Sequence, residues 1–124
     1  RQEDPTLIER YGFVLTTLPG ADAERIEATI TEPIEQRLHE LPEIAETESS
    51  SRANVSQISI EIDESLSAAE VDNAWTLIRQ QVQLAEPDLP SGTATPFVRR
   101  VYVGAATMTV ALTWEGEGKK KIQE

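Results

Sequence analysis

The sequence predicts an α+β domain of the ferredoxin-like, split β-α-β class (βαββαβ): an antiparallel sheet with both helices on one face, plus one extra C-terminal strand. Three observations predict it. Extended and helical patterns alternate in the order β-α-β-β-α-β. Each helical segment has one apolar stripe, which matches a single covering layer. One strand, Ile58-Ser59-Ile60-Glu61-Ile62-Asp63, alternates strictly between apolar and polar residues, as in a sheet buried on one side only.

The first strand is read over Gly12 to Leu18 and stops at Pro19-Gly20. Asp22 then caps a helix by accepting from free backbone N–H groups of its first turn. That helix is expected to run to about Leu41, with Ile26, Ile30, Ile34 and Leu38 on one face. Pro33 lies well inside it, where a proline removes a hydrogen bond and costs about 3 kcal/mol. Nothing in the sequence offsets that cost. Ile44 to Ser51 and Val55 to Asp63 follow as strands. Ser51-Arg52-Ala53-Asn54 forms the turn between them, with Asn54 tolerating left-handed backbone.

The second helix opens at Ser67, where Ser67-x-x-Glu70 is a capping box. Val71, Ala74, Trp75, Ile78, Val82 and Ala85 form its apolar stripe. Pro87 and Leu89-Pro90-Ser91-Gly92 end it. Phe97 to Val103 and Thr107 to Trp114 read as two strands broken by Gly104-Ala105-Ala106. Lys119-Lys120-Lys121 belong to a charged tail.

A length of 124 residues corresponds to one domain. The absence of cysteine excludes a disulfide framework, a zinc–thiolate site and a thiol nucleophile. A net charge of −11 argues against nucleic acid and against an anionic membrane surface. It serves solubility and mildly favours cationic partners. Arg1-Gln2-Glu3-Asp4-Pro5 is polar from the first residue, unlike a secretory signal. The longest uncharged run, Val101 to Trp114, is shorter than the roughly 20 residues of a spanning helix. A soluble chain is expected, and the lack of an initial methionine suggests an excised piece of a longer protein.

No catalytic constellation emerges. His39 stands alone near a helix end, with no second ligand at metal-binding spacing. Ser49-Ser50-Ser51 and Ser56 lack a Gly-x-Ser-x-Gly context, and no phosphate-cradling glycine motif is present. Glu61, Asp63 and Glu64 cluster, with Glu61 and Asp63 on one strand face. A hard-cation site is one reading, and a solvated face the plainer one. On the second helix, Asp72, Thr76, Gln80 and Gln83 line the side opposite the apolar stripe. Three of these four are uncharged. That suits a face meeting copies of itself across a symmetry axis, where repeated like charges would repel. A merely polar face is the alternative.

The Pro19-Gly20-Ala21-x-Ala23 junction, Thr31-x-Pro33-Ile34-Glu35 and the Ser49-to-Arg52 hairpin fall in a distinctive order. Val82-Gln83-Leu84-Ala85 with Pro87 and Leu89-Pro90 continues it. Together they resemble the first porter subdomain of the resistance-nodulation-division (RND) efflux pumps, hydrophobe/amphiphile exporter branch. The likeness runs from Arg1 to about Trp114, and Arg1 to Pro5 looks like the segment after the first transmembrane helix.

The resemblance implies a periplasmic part of an inner-membrane, proton-driven multidrug exporter in a Gram-negative-type bacterium, not an enzyme and without a cofactor. Residues 1–103 would be the first porter subdomain. Residues 104–124 would be the first strand of the next subdomain and a charged tail. The second helix would line the central pore of a homotrimer with Asp72, Thr76, Gln80, Gln83 and Pro87. Thr107 and Val110 would wall the substrate pocket. Implied partners are the other trimer subunits, a periplasmic adaptor protein, an outer-membrane channel and small amphiphilic substrates. The isolated chain would be monomeric or weakly associated. Proton coupling belongs to transmembrane helices in such pumps. With Met108 as the only methionine, copper or silver export through soft thioether ligands is not expected. Two rivals remain open: a free-standing ferredoxin-like domain binding a small ligand or cation, and an acylphosphatase-like hydrolase.

Overall fold

The computed structural model describes residues 8–101. Strands β1 (Tyr11–Thr17), β2 (Ile44–Arg52), β3 (Val55–Ile62) and β4 (Phe97–Val101) form one antiparallel sheet in the order β2-β3-β1-β4. The first crossover carries α1 (Ala23–Ile26), a π-helical segment (Glu27–Thr31) and α2 (Glu32–Leu38), which run on without a break. The second carries α3 (Ala68–Ala85) and a 3₁₀ turn, Glu86–Asp88. This is the expected split β-α-β fold. The expected strand over Thr107 to Trp114 lies outside the described residues.

The alternation read from the sequence places the core. Val14, Ile58, Ile60 and Ile62 are buried on one face of the sheet. Ile26, Ile30, Ile34 and Leu38 cover them from the first crossover, and the six stripe residues of α3 from the second. The other face of the sheet has no covering layer among the described residues. There Phe13 and Phe97 pack with ring centroids 6.3 Å apart, and Phe97 stays half exposed.

Two junctions depend on backbone conformation. Gly20 has φ +88, where an L side chain would be strained although nothing would obstruct it. Its N–H donates to Asn54 Oδ1 (2.8 Å), Leu18 N–H to Asn54 O (2.9 Å), and Asn54 N–H to Ala21 O (2.8 Å). Asn54, itself at φ 72, thereby ties the Pro-Gly-Ala junction to the β2–β3 turn. Asp22 Oδ1 accepts from Arg25 N–H at 2.8 Å, as expected of the helix cap.

The first helix departs from expectation in two ways. It ends at Leu38 rather than near Leu41, and it is not α-helical throughout. Glu32 N–H donates to Glu27 O, five residues back, so one extra residue is accommodated. Pro33 follows at once, as the second residue of α2, where the turn has already been widened. Placing the proline beside the π segment removes the conflict an unbroken α-helix would suffer with the preceding turn.

The π segment also explains the stripe. Ile26, Ile30, Ile34 and Leu38 are spaced strictly by four. In a pure α-helix such a stripe drifts by about 120° over its length, at roughly 100° per residue. One extra residue removes about 100° of that drift, and all four side chains become fully buried. Buried Thr31 occupies the end of the segment. Its Oγ1 lies 2.7 Å from Ser56 Oγ and 2.8 Å from Ser51 Oγ, and Ser51 donates to Glu27 Oε1 at 2.6 Å. A chain of hydroxyls thus fastens the helix to β2 and β3.

Asp63 differs as well. It is not a strand residue sharing a face with Glu61, because β3 ends at Ile62. Its carboxylate instead accepts from Ser65 N–H at 2.9 Å in the turn leading to α3. Hydrogen bonds from Ser65, backbone first and then side chain, hold its pKa below the ordinary 3.8 against the opposing effect of desolvation, with the nearby charge of Arg10 adding last. A depressed carboxyl contributes stability that is present above the unfolded value and lost as pH falls through the folded one. An NMR titration of the Asp63 carboxyl should therefore show a midpoint below 3.8, and a midpoint at or above it would discard this turn geometry.

Candidate functional site

α3 is fixed firmly enough to present a defined outer face. Ser67 Oγ accepts from Glu70 N–H and Glu70 Oε1 from Ser67 N–H, completing the capping box. Val71, Ala74, Trp75, Ile78, Val82 and Ala85 are all buried, as the periodicity predicts. Trp75 is fully buried, and its Nε1 donates to Glu9 O at 2.7 Å. Its ring covers Gly12, which has no Cβ to obstruct it. At the other end, Gln81 Nε2 donates to Arg37 O (2.7 Å) and to Glu40 Oε1 (2.9 Å). Arg37 O belongs to the last turn of α2 and also accepts from Glu40 N–H at 3.2 Å, so the Gln81 amide adds a second donor and caps one helix from the next.

The opposite face carries Asp72, Thr76, Gln80 and Gln83, and Pro87 follows in the 3₁₀ turn beyond the helix end; all five are exposed. Gln83 comes seven residues after Thr76, or about two helical turns, so this row lies nearly parallel to the axis over roughly 10 Å. The side chains of Gln80 and Gln83 make no hydrogen bond among the described residues, while Thr76 Oγ1 donates back to Asp72 O at 3.3 Å. Asp72 is different, because Arg100 Nη2 of β4 donates to its Oδ1. That ion pair compensates the only charge in the row.

Sequence reasoning missed Leu84, which is 53% exposed and stands one turn beyond Gln80 on this face. Its signal was present: an apolar residue four positions after Gln80 and outside the buried stripe. Thr107 and Val110 lie outside the described residues.

Other surfaces offer less. His39 Nε2 lies 3.1 Å from Thr47 Oγ1, beside a shallow hollow of about 220 Å³ lined by His39, Leu41, Ile44, Ala45, Glu46 and Thr47. This is smaller than the roughly 300–1,000 Å³ of typical ligand pockets. No group of three His, Cys, Asp or Glu is placed to hold a metal ion among the described residues. The loop after β1 provides no anion cradle, because the N–H groups of Leu18, Gly20, Ala21 and Arg25 already have partners within the chain. No helix among the described residues is long and apolar enough to cross a membrane.

The site is thus an exposed, mostly uncharged helix face on a rigid support, suited to contact with other protein surfaces. Comparison with curated proteins gives no match. Among solved structures, the crystal structure of a heavy metal efflux pump is similar with a TM-score of 0.64 and 22% identity, over 79% of this chain and 10% of that one. At that identity the likeness is one of fold, and the chain spans about a tenth of that pump's length. A model of the AcrB/AcrD/AcrF family matches residues 9–123, nearly the whole sequence. The chain belongs to the AcrB/AcrD/AcrF family of RND efflux pumps, as the Pro-Gly-Ala junction and the marker around Gln83 led one to expect.

Proposed function

We propose that this chain is the first porter subdomain of an RND multidrug exporter and that α3 lines the central pore of a homotrimer. Thr76, Gln80, Gln83 and Pro87 would face the axis, with Leu84 beside them, and Asp72 would stand at its rim, neutralised by Arg100. The observation that carries the reading is the row itself. An uncharged helix face of this length is unusual on a chain of net charge −11. Around a threefold axis, by contrast, each side chain meets two copies of itself, and neutral amides avoid mutual repulsion.

The same reading places the chain in the periplasm, with an adaptor protein and an outer-membrane channel as further partners. Residues 104–124 would enter the next subdomain, with Thr107 and Val110 on the substrate wall. Small amphiphiles are favoured over soft metal ions as cargo because the chain has no cysteine and a single methionine, leaving few thioether or thiolate ligands.

A direct test uses a full-length exporter whose cysteines outside this chain, which itself has none, have been replaced. In the full-length exporter, Gln83→Cys treated with a trivalent maleimide should give a covalent trimer. Glu64→Cys, exposed in the turn before α3, should not. Equal yields at both positions, or none at Gln83, would remove α3 from the axis.

A further inference from the structure

We propose that Arg100 is a positioning residue that clamps α3 to the chain segment entering the subdomain, so that residues 8–10, α3 and β4 move as one body. The proposal rests on the porter reading for its functional meaning, but the clamp itself is a property of the single chain.

Residues 8–10 precede β1 and lie outside the regular secondary structure. They are nevertheless held on several sides. Ile8 packs against the core, and the N–H of Arg10 donates to Ile8 O at 3.1 Å, closing a tight turn. Arg10 O accepts from Ile62 N–H at 2.8 Å, and Arg10 Nη1 donates to Asp63 O at 3.0 Å, which ties the segment to the end of β3.

α3 and β4 each add a contact on Glu9. The Trp75 indole donates to its carbonyl, and Arg100 Nε lies 3.0 Å from its Oε1. The same guanidinium donates from Nη2 to Asp72 on the first turns of α3. Arg100 therefore bridges two carboxylates from different elements, one before β1 and one on α3.

The sheet explains how three elements meet at one point. Arg100 is the register partner of Gly12 in the β1–β4 pair. Gly12 carries no side chain, so the Trp75 ring can lie against β1 and its indole can reach Glu9 O. A cross-strand residue of ordinary size at position 12 would fill that space.

This geometry gives the guanidinium a mechanical consequence. The guanidinium holds Asp72 by a hydrogen bond from Nη2 and Glu9 by charge, since the 3.0 Å Nε–Oε1 approach lacks hydrogen-bond geometry. Displacing residues 8–10 must carry Glu9, and with it Arg100, Asp72 and the Trp75 end of α3. In a pump whose subdomains tilt as rigid bodies, the clamp sets the angle of the pore helix relative to the incoming chain.

Amide exchange followed by NMR on the 124-residue chain tests it. Arg100→Gln should speed exchange at the Arg10 amide and the Trp75 indole by about tenfold, the effect of losing roughly one hydrogen bond between charged groups. The amides around Val82 should not change. Arg100→Lys should restore part of the protection. Glu9→Gln combined with Arg100→Gln should be no worse at Arg10 than Arg100→Gln alone. Unchanged exchange at Arg10, uniform acceleration along all of α3, or additive effects in the double variant would each overturn the clamp. None of these outcomes depends on whether α3 faces a trimer axis, so failure here and failure of the maleimide test are distinguishable.

Discussion

Replacing Trp75 with alanine is expected to destabilise the domain by about 4 kcal/mol, within the range for truncating a large buried aromatic residue. Trp75 is fully buried and is the largest side chain in the core. Its removal would open a cavity bounded by β1 and leave Glu9 O without its donor. A loss of that size is a large fraction of the stability of a domain this small. Chemical denaturation followed by far-ultraviolet circular dichroism should show a lower midpoint with an unchanged slope. Trp75→Phe separates the two contributions, since it keeps most of the ring and removes the donor; about 1–2 kcal/mol is expected. A loss below about 1 kcal/mol for the alanine variant would mean that the core is not organised around this residue.

Gly12→Ala is expected to destabilise by about 3 kcal/mol, against the usual sense of such a change. A glycine within a strand normally weakens it, and alanine there usually helps by about 0.5–1 kcal/mol. Here a Cβ would stand 2.4 Å from Arg99 O and 2.4 Å from Trp75 Cη2. The indole could shift by some fraction of an ångström. The Arg99 carbonyl cannot, because it belongs to β4, which is paired with β1 from Leu15–Phe97 to Tyr11–Val101. Making room means opening that pair or overpacking the site, which costs about 1–3 kcal/mol or more. Thermal unfolding would give the size, and loss of amide protection confined to β4 would locate the damage. A stabilised Gly12→Ala variant would refute the close approach of β1, β4 and α3.

Much of the fold was legible because it follows from period and caps. The α3 stripe from Val71 to Ala85, the Ser67–Glu70 capping box, the Asp22 cap and the alternation along β3 are each set by residues within a few positions of one another. Local rules therefore sufficed. The family was legible too, because the Pro-Gly-Ala junction and the marker around Gln83 keep their order along the chain.

The π segment is not legible from local pattern, although the sequence carries its two signs: a stripe spaced strictly by four and a proline with no apparent compensation. Each sign by itself fits an ordinary helix. Their combination gains meaning only once Thr31 is seen between Ser51 and Ser56 on two different strands. Asp63 was placed on a strand face because alternation continues through it. Its carboxylate's preference for Ser65 N–H, two residues on, ended the strand one position sooner.

The exposed row of α3 was also legible as a row, since helical periodicity places Thr76, Gln80 and Gln83 away from the stripe. Its charge state was not. Asp72 reads as a free acid in the sequence, and only the register of β4 brings Arg100 to it from 28 residues away.

The sequence by itself thus determined the order of elements, the two faces of each helix, the helix starts and the family. All of these rest on spacings within a single segment or on short ordered motifs. Only the tertiary structure decided what Pro33, Gly12, Gln81 and Arg100 are for. Pro33 is accommodated by a π turn, Gly12 makes room for Trp75, Gln81 caps α2, and Arg100 joins Glu9 to Asp72. The last three roles are contacts between segments distant in sequence, and the π turn, though local, is held by Thr31 hydroxyl bonds to Ser51 and Ser56 on two strands. Such contacts depend on strand register and helix placement, which no local pattern encodes.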